Sequence, residues 1–212
     1  MSRIKSTTSN IGLPLSLFTC NTLSKLSVKL INPFYNEFSW EFPPSIYLLN
    51  LKTLDITDNF NRFDININSI SCDNIFKLID GCPLLEYLSL KIQMPSTTED
   101  FYFKAPTLKR LRLALLYNSA NDIHTVVLNV PNLEYLHIDE SIVLCSLFVM
   151  EDLSSLVKAK VSYYVFEYHL WVELLKGLSK VRNLTLDVTN MTEAAFNIHF
   201  PKFPHLKKLA VV

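Results

Sequence analysis

Apolar residues recur along this chain in one short pattern, apolar-x-x-apolar-x-apolar, found eight times. Its anchors are Leu23, Leu26 and Val28; Leu51, Leu54 and Ile56; Leu85, Leu88 and Leu90; and Leu108, Leu111 and Leu113. They continue with Leu133, Leu136 and Ile138; Leu156, Ala159 and Val161; Val181, Leu184 and Leu186; and Leu206, Leu209 and Val211. First anchors are separated by 28, 34, 23, 25, 23, 25 and 25 residues. The last two anchors of each set are two apart, so in a strand they share a face and the residues between them face away. Strands are predicted near 25–29, 53–57, 87–91, 110–114, 135–139, 158–162, 183–187 and 208–212. The outward central row is then Ser27, Asp55, Ser89, Arg112, His137, Lys160, Thr185 and Ala210, with Arg110 and Ala114 facing the same way.

A spacing of ~20–29 residues with this pattern is the signature of a leucine-rich repeat. The predicted fold is an α/β solenoid of about eight repeats over residues 13–212, after a polar lead of residues 1–12. Its parallel sheet lies on the concave side, because parallel pairing requires a crossover between strands. The convex connections are expected to be irregular or short helices. Residues Asp73–Ile79 and Glu167–Lys176 carry apolar positions at helical spacing and are each followed by a glycine, Gly81 and Gly177. Pro83, Pro106, Pro131 and Pro204 each lie two residues before a first anchor, where a proline ends the connection without removing a ladder bond. Ala159 replaces a leucine, and a large neighbour such as Tyr164 or Phe166 is expected to fill the space. No polar cap follows the last strand, which reads as a fragment, a truncated gene product or a chain that continues.

Composition narrows the function classes. Lys plus Arg and Asp plus Glu are 20 each, which gives no electrostatic reason to expect nucleic acid or an anionic membrane as partner. No secretory signal or membrane-length apolar run is present, so an intracellular protein, nuclear or cytoplasmic, is expected. Cys20, Cys72, Cys82 and Cys145 follow no metal-ligand spacing and are expected as reduced core residues.

Catalytic chemistry finds little support. His137 has Tyr135 and Asp139 beside it, but no nucleophile has a motif-defined place nearby. No histidine pair has metalloprotease spacing, and three glycines provide no phosphate-cradling loop. No catalytic residue, cofactor or metal is expected. The aromatics Phe34, Tyr35, Phe38, Trp40 and Phe42, and the run Phe101–Phe103, are expected to pack the convex side where helices are missing. The candidate protein-binding face is the concave set Asp55, Tyr87, Ser89, Arg110, Arg112, Tyr135, His137, Asp139, Lys158, Lys160 and Asp187. Its basic members Arg110, Arg112, Lys158 and Lys160 read either as an ordinary solvated surface or, in part, as a contact for an acidic partner.

Several phrases resemble one family. Residues 13–23, LPLSLFTCNTL, are similar to the "LPxSLFxCxTL" opening of the repeat region in plant F-box/LRR proteins, which often bear an FBD region. Residues 80–88, DGCPLLEYL, resemble "SGCPVLEDL", and residues 105–111 and 130–136 resemble the "APNLEYL" steps. Residues 49–54 and 153–159 resemble "LPSLKTL" and "LSSLVEA". The phrases keep the family's order. The resemblance implies substrate selection for an SCF-type ubiquitin ligase, in which an N-terminal F-box grips a Skp1-type adaptor and the repeats hold a target protein. The sequence does not identify that target. Neither F-box nor FBD region is read in the chain, so the adaptor is expected as a partner only if an F-box lies upstream. The alternative is a standalone or truncated scaffold or decoy with no ligase link.

Overall fold

The computed structural model describes residues 14–31, 43–59, 72–94, 100–117, 124–139, 146–162, 168–187 and 201–212. Eight parallel strands form the main sheet: β1 (Lys25–Ile31), β2 (Thr53–Asn59), β3 (Tyr87–Met94), β5 (Arg110–Tyr117), β7 (Tyr135–Asp139), β9 (Lys158–Ser162), β10 (Asn183–Asp187) and β11 (Lys208–Val211). They lie side by side in chain order, the topology of a leucine-rich repeat solenoid.

Two backbone devices recur at every copy of the pattern. First, the amide of each first anchor donates to the carbonyl three residues back, closing a β-turn at 3.0–3.4 Å: Leu23 to Cys20, Leu51 to Leu48, Leu85 to Cys82, Leu108 to Ala105, Leu133 to Val130, Leu156 to Leu153, Val181 to Leu178 and Leu206 to Phe203. Pro83, Pro106, Pro131 and Pro204 occupy the second position of such turns, where their fixed φ suits the turn and their missing N–H is not needed. Second, the carbonyl that follows each first anchor accepts two amides from the next copy. Glu86 O, for example, accepts from Lys109 N and Arg110 N at 2.9 and 3.0 Å, and Lys109 O from Glu134 N and Tyr135 N at 2.8 and 3.1 Å. The same double acceptance occurs at Ser24, Lys52, Glu134, Val157 and Arg182, which covers all seven junctions of the sheet.

The strands pair without a register shift, so equivalent residues align in rows. Leu54, Leu88, Leu111, Leu136 and Ala159 fill one inward row and are fully buried. Leu90, Leu113, Ile138 and Val161 fill the other, equally buried.

The opposite wall is more regular than the sequence suggested. Helices do occupy two of its connections, α1 (Cys72–Asp80) and α2 (Tyr168–Gly177). Between them lies a second parallel sheet, β4 (Phe101–Lys104), β6 (His124–Asn129) and β8 (Ser146–Asp152), one strand from each of three successive connections. Phe101 and Phe103 of β4 point inward and Tyr102 outward, the alternation of a half-buried strand. Phe101 stacks on Phe103 and meets Phe76 of α1 at 5.0 Å between ring centroids. On the outer face Tyr102 donates to Glu151 Oε1 at 2.7 Å and Asn129 Nδ2 to Glu151 Oε2 at 3.2 Å, tying all three strands together. Among the described residues, then, eight concave strands are backed by five turns with a defined opposite element, fewer than the eight repeats expected.

Other expectations need correction or fall outside the described residues. Cys82 is buried, donates its thiol to Leu78 O and is pushed up to about 12 by desolvation, so it is an inert core thiol. Cys20 is half-exposed instead of core, and it begins the turn that leads into β1. Ala114, expected on the surface, is buried. Cys145, Tyr164, Phe166 and the aromatics of residues 34–42 lie outside the described residues. Trp171 of α2 is the largest fully buried side chain among the described residues.

Gly81 is required by proximity instead of conformation, since no described glycine has positive φ. A Cβ there would sit 2.6 Å from Ile46 Cγ2 and 2.8 Å from the Ile46 carbonyl oxygen, and the Gly81 carbonyl already accepts from Leu48 N at 2.9 Å. Gly81→Ala must displace backbone and is expected to destabilise the fold by about 1–3 kcal/mol in urea unfolding. Leu111→Ala, at a fully buried inward position, is expected to cost about 2–5 kcal/mol. Leu209→Ala, in the same row but 54% exposed, should cost well under half as much. Equal losses at the two leucines would contradict their difference in burial.

Candidate functional site

The concave face is built from alternate strand positions, so sheet geometry alone decides which polar residues meet. Its first outward row is Lys25, Thr53, Tyr87, Arg110, Tyr135, Lys158, Asn183 and Lys208, and its second is Ser27, Asp55, Ser89, Arg112, His137, Lys160, Thr185 and Ala210. Asp139 and Asp187 end β7 and β10 in the third row.

The structure gathers Arg112, Tyr135, His137, Asp139, Lys158 and Lys160 on β5, β7 and β9. Arg112 reaches diagonally across to Asp139, and Nη2 donates to Oδ2. That hydrogen bond holds the guanidinium above its ordinary pKa. Lys158 stands over the Tyr135 ring with Nζ 5.4 Å from the centroid, a cation–π contact between direct strand neighbours. Burial raises the Tyr135 phenol. His137 lies between them, its ring 6.4 Å from that of Tyr135. Burial pushes its imidazole below the ordinary value, against the pull of Asp139 and with the push of Arg112 and Lys160. Its Nε2 is buried without a hydrogen-bond partner among the described residues. Asp139 is therefore engaged by Arg112 and does not orient His137 as the carboxylate of a catalytic pair would.

Tyr87 and Arg110 continue the first row directly beside Tyr135, and with Asp55 they line an open groove of about 760 Å³ that also includes Lys25, Lys52, Thr53, Glu86, Lys109 and Glu134. Ser89 does not belong to the accessible face: it is 7% exposed, because its short side chain sinks between larger neighbours on β2 and β5. Asp187 sits half-buried at the far end of β10.

The rim ahead of the strands was missing from the candidate set. There Lys52, Glu86, Lys109 and Glu134 alternate in sign along the sheet. Glu86 takes Lys109 at 3.1 Å and Lys52 at 3.8 Å, and the Lys109 hydrogen bond holds its carboxyl below the usual range. The signal was present in the residue just after each first anchor, a position outside the predicted strands. Among the described residues no group of three or more His, Cys, Asp or Glu could hold a metal ion, and no helix is long and apolar enough to cross a membrane.

This surface sits on a repeat scaffold shared by known proteins. An Arabidopsis thaliana F-box/FBD/LRR-repeat protein is 30% identical over 212 aligned residues, covering 99% of this chain and 46% of the relative. The chain belongs to the plant F-box/LRR-repeat family. An F-box/LRR-repeat protein of the same plant is 28% identical over 191 residues, 86% of this chain and 54% of the relative. Another is 28% identical over 228 residues, 94% of this chain and 44% of the relative. The chain thus spans about half the length of these curated family members. No family model matches it, and no solved structure matches it.

Acid is expected to weaken the fold through His137. Its folded-state pKa lies below the unfolded value, so the unfolded chain protonates first as pH falls. The stability this neutral histidine supports is fully present above about pH 6.5 and is lost progressively below it, until the folded imidazole itself titrates. His137→Gln should flatten that part of the profile, measured as urea midpoints at about pH 7.5 and 5.5. A double-mutant cycle on Arg112→Gln and Asp139→Asn should give a coupling of about 0.2–1 kcal/mol that shrinks with added salt, as for a partly exposed pair.

Proposed function

We propose that the concave face is a protein-binding surface and that the chain serves as the substrate-recognition part of an SCF-type ubiquitin ligase. The observation that carries this reading is the cluster on β5, β7 and β9. Tyr135 and Arg112 are residue types enriched among dominant interface contacts, and the Asp139 and Lys158 contacts hold them in place before any partner arrives. Family membership supports the ligase role, since the relatives are named as F-box proteins. In this reading the repeats select a target and an F-box supplies the link to a Skp1-type adaptor. The chain itself binds and does not catalyse. His137, the candidate base, is a desolvated neutral side chain without an orienting carboxylate.

The test compares the chain alone with the chain fused behind an F-box, each used to capture partners from plant extract. Both should capture the same target, and the fusion should also recover the adaptor. Tyr135→Ala combined with Arg112→Ala should reduce target capture at least tenfold, whereas Tyr102→Ala on the opposite wall should leave it unchanged. Capture that survives the concave changes and fails with Tyr102→Ala would move the binding surface to the other side.

A further inference from the structure

The zero net charge of the chain conceals a segregation along the sheet. The described segments 153–162, 178–187 and 201–212 carry seven cations, Lys158, Lys160, Lys180, Arg182, Lys202, Lys207 and Lys208, against one acid, Asp187. Five of them stand on or beside the concave strands. Lys158 and Lys208 are first-row residues, Lys160 is in the second row, and Arg182 and Lys207 immediately precede β10 and β11. Lys158, Arg182, Lys207 and Lys208 are exposed. None of the five forms an ion pair among the described residues, and Lys158 is engaged only with the Tyr135 ring. On the rim from β2 to β7, by contrast, Lys52 and Lys109 share Glu86, and on β5 and β7 Arg112 is held by Asp139.

We infer that the β9–β11 end of the concave face docks an acidic peptide segment, two to four clustered carboxylates on an extended chain. This rests on the protein-binding reading above and supplies the chemistry of the bound segment. Three strands spaced by ~4.8 Å span about 10 Å, the length of about three residues of an extended chain lying across them. The patch is also bounded. Glu134 and Asp139 stand on its β7 side and Asp187 at the far end of β10. A long polyanion continuing along the face would run over Glu134 and Glu86, whereas a short acidic stretch ends before reaching them. Tyr135, next to Lys158, offers an aromatic face for an apolar residue flanking the acids.

Fluorescence anisotropy on the full 212-residue chain tests this, with a labelled Glu/Asp-rich peptide of about ten residues and its Gln/Asn counterpart. A single-stranded oligonucleotide and anionic vesicles serve as comparators. The acidic peptide should bind, the neutral one should not, and affinity should fall with salt. Arg182→Glu with Lys208→Glu should weaken peptide binding on the order of tenfold or more. Lys52→Glu, on the compensated rim, should not weaken it. Circular dichroism checks folding, and the milder pair Lys158→Gln and Lys160→Gln gives the same comparison should the double reversal unfold. Equal losses from the Lys52 and Arg182/Lys208 changes would overturn the inference. So would tighter binding of the oligonucleotide or vesicles than of the peptide, or no binding of the acidic peptide. Target capture that is insensitive to the Arg182/Lys208 changes but lost with Tyr135→Ala would leave the protein-binding reading standing and remove this one. Specific peptide binding without capture of any target would leave this inference standing and remove only the substrate-recognition role.

Discussion

Each strand of the concave sheet is fastened to the next by one carbonyl that accepts two amides, and the rest of the molecule depends on that junction. The shared acceptor lies just ahead of the strand, so it fixes where the strand begins. The β-turn closed by the preceding anchor fixes the direction of entry. Together they hold seven successive pairings in phase. A slip of one residue would turn the leucine rows outward and the charged rows into the core, which burial strongly opposes. The connections need only return the chain to the next junction. Their length can therefore differ, as the spacing of 34 residues between Leu51 and Leu85 beside 23 between Leu85 and Leu108 illustrates.

The concave wall was legible because its information is local. Leucine periodicity marked the strands, and the prolines marked the turns. The two helices were also readable, since α1 and α2 carry apolar residues at helical spacing. The second sheet was not. Phe101–Lys104 is too short for periodicity to separate it from a well-packed loop, the longer β6 and β8 lie outside the eight copies of the repeated apolar pattern, and the pairing partners of all three lie in different connections. Ser89 was misplaced for a related reason. Alternation gives the side of the sheet that a residue faces, while exposure depends on the size of its neighbours on β2 and β5. The contacts of Arg112 with Asp139 and of Lys158 with Tyr135 become visible only once register sets strand neighbours, because each joins residues of different copies.

Charge tells a similar story at larger scale. A balance of 20 cations and 20 anions argues against a polyanionic partner only if the two signs are mixed in space. Here mixing is local to the rim, where Lys52, Glu86, Lys109 and Glu134 alternate on neighbouring strands and partly neutralise one another. Beyond β7 the alternation stops. Stacking in chain order converts position along the sequence into position along the sheet, so a drift in composition toward the C-terminal end becomes a gradient of potential across the face.

The second sheet has a consequence for curvature. Solenoids of this kind bend because helices on one wall, packed ~8–10 Å apart, take more room than strands ~4.8 Å apart on the other. Across β4, β6 and β8 both walls are strands with the same spacing, so nothing forces them to splay. Among the described residues the helix-bearing turns are those with α1 and α2, on either side of that stretch. The middle of the concave face is therefore expected to curve less than the turns that carry helices, and a body resting against β5 and β7 would meet a shallower hollow there than beside α1 or α2.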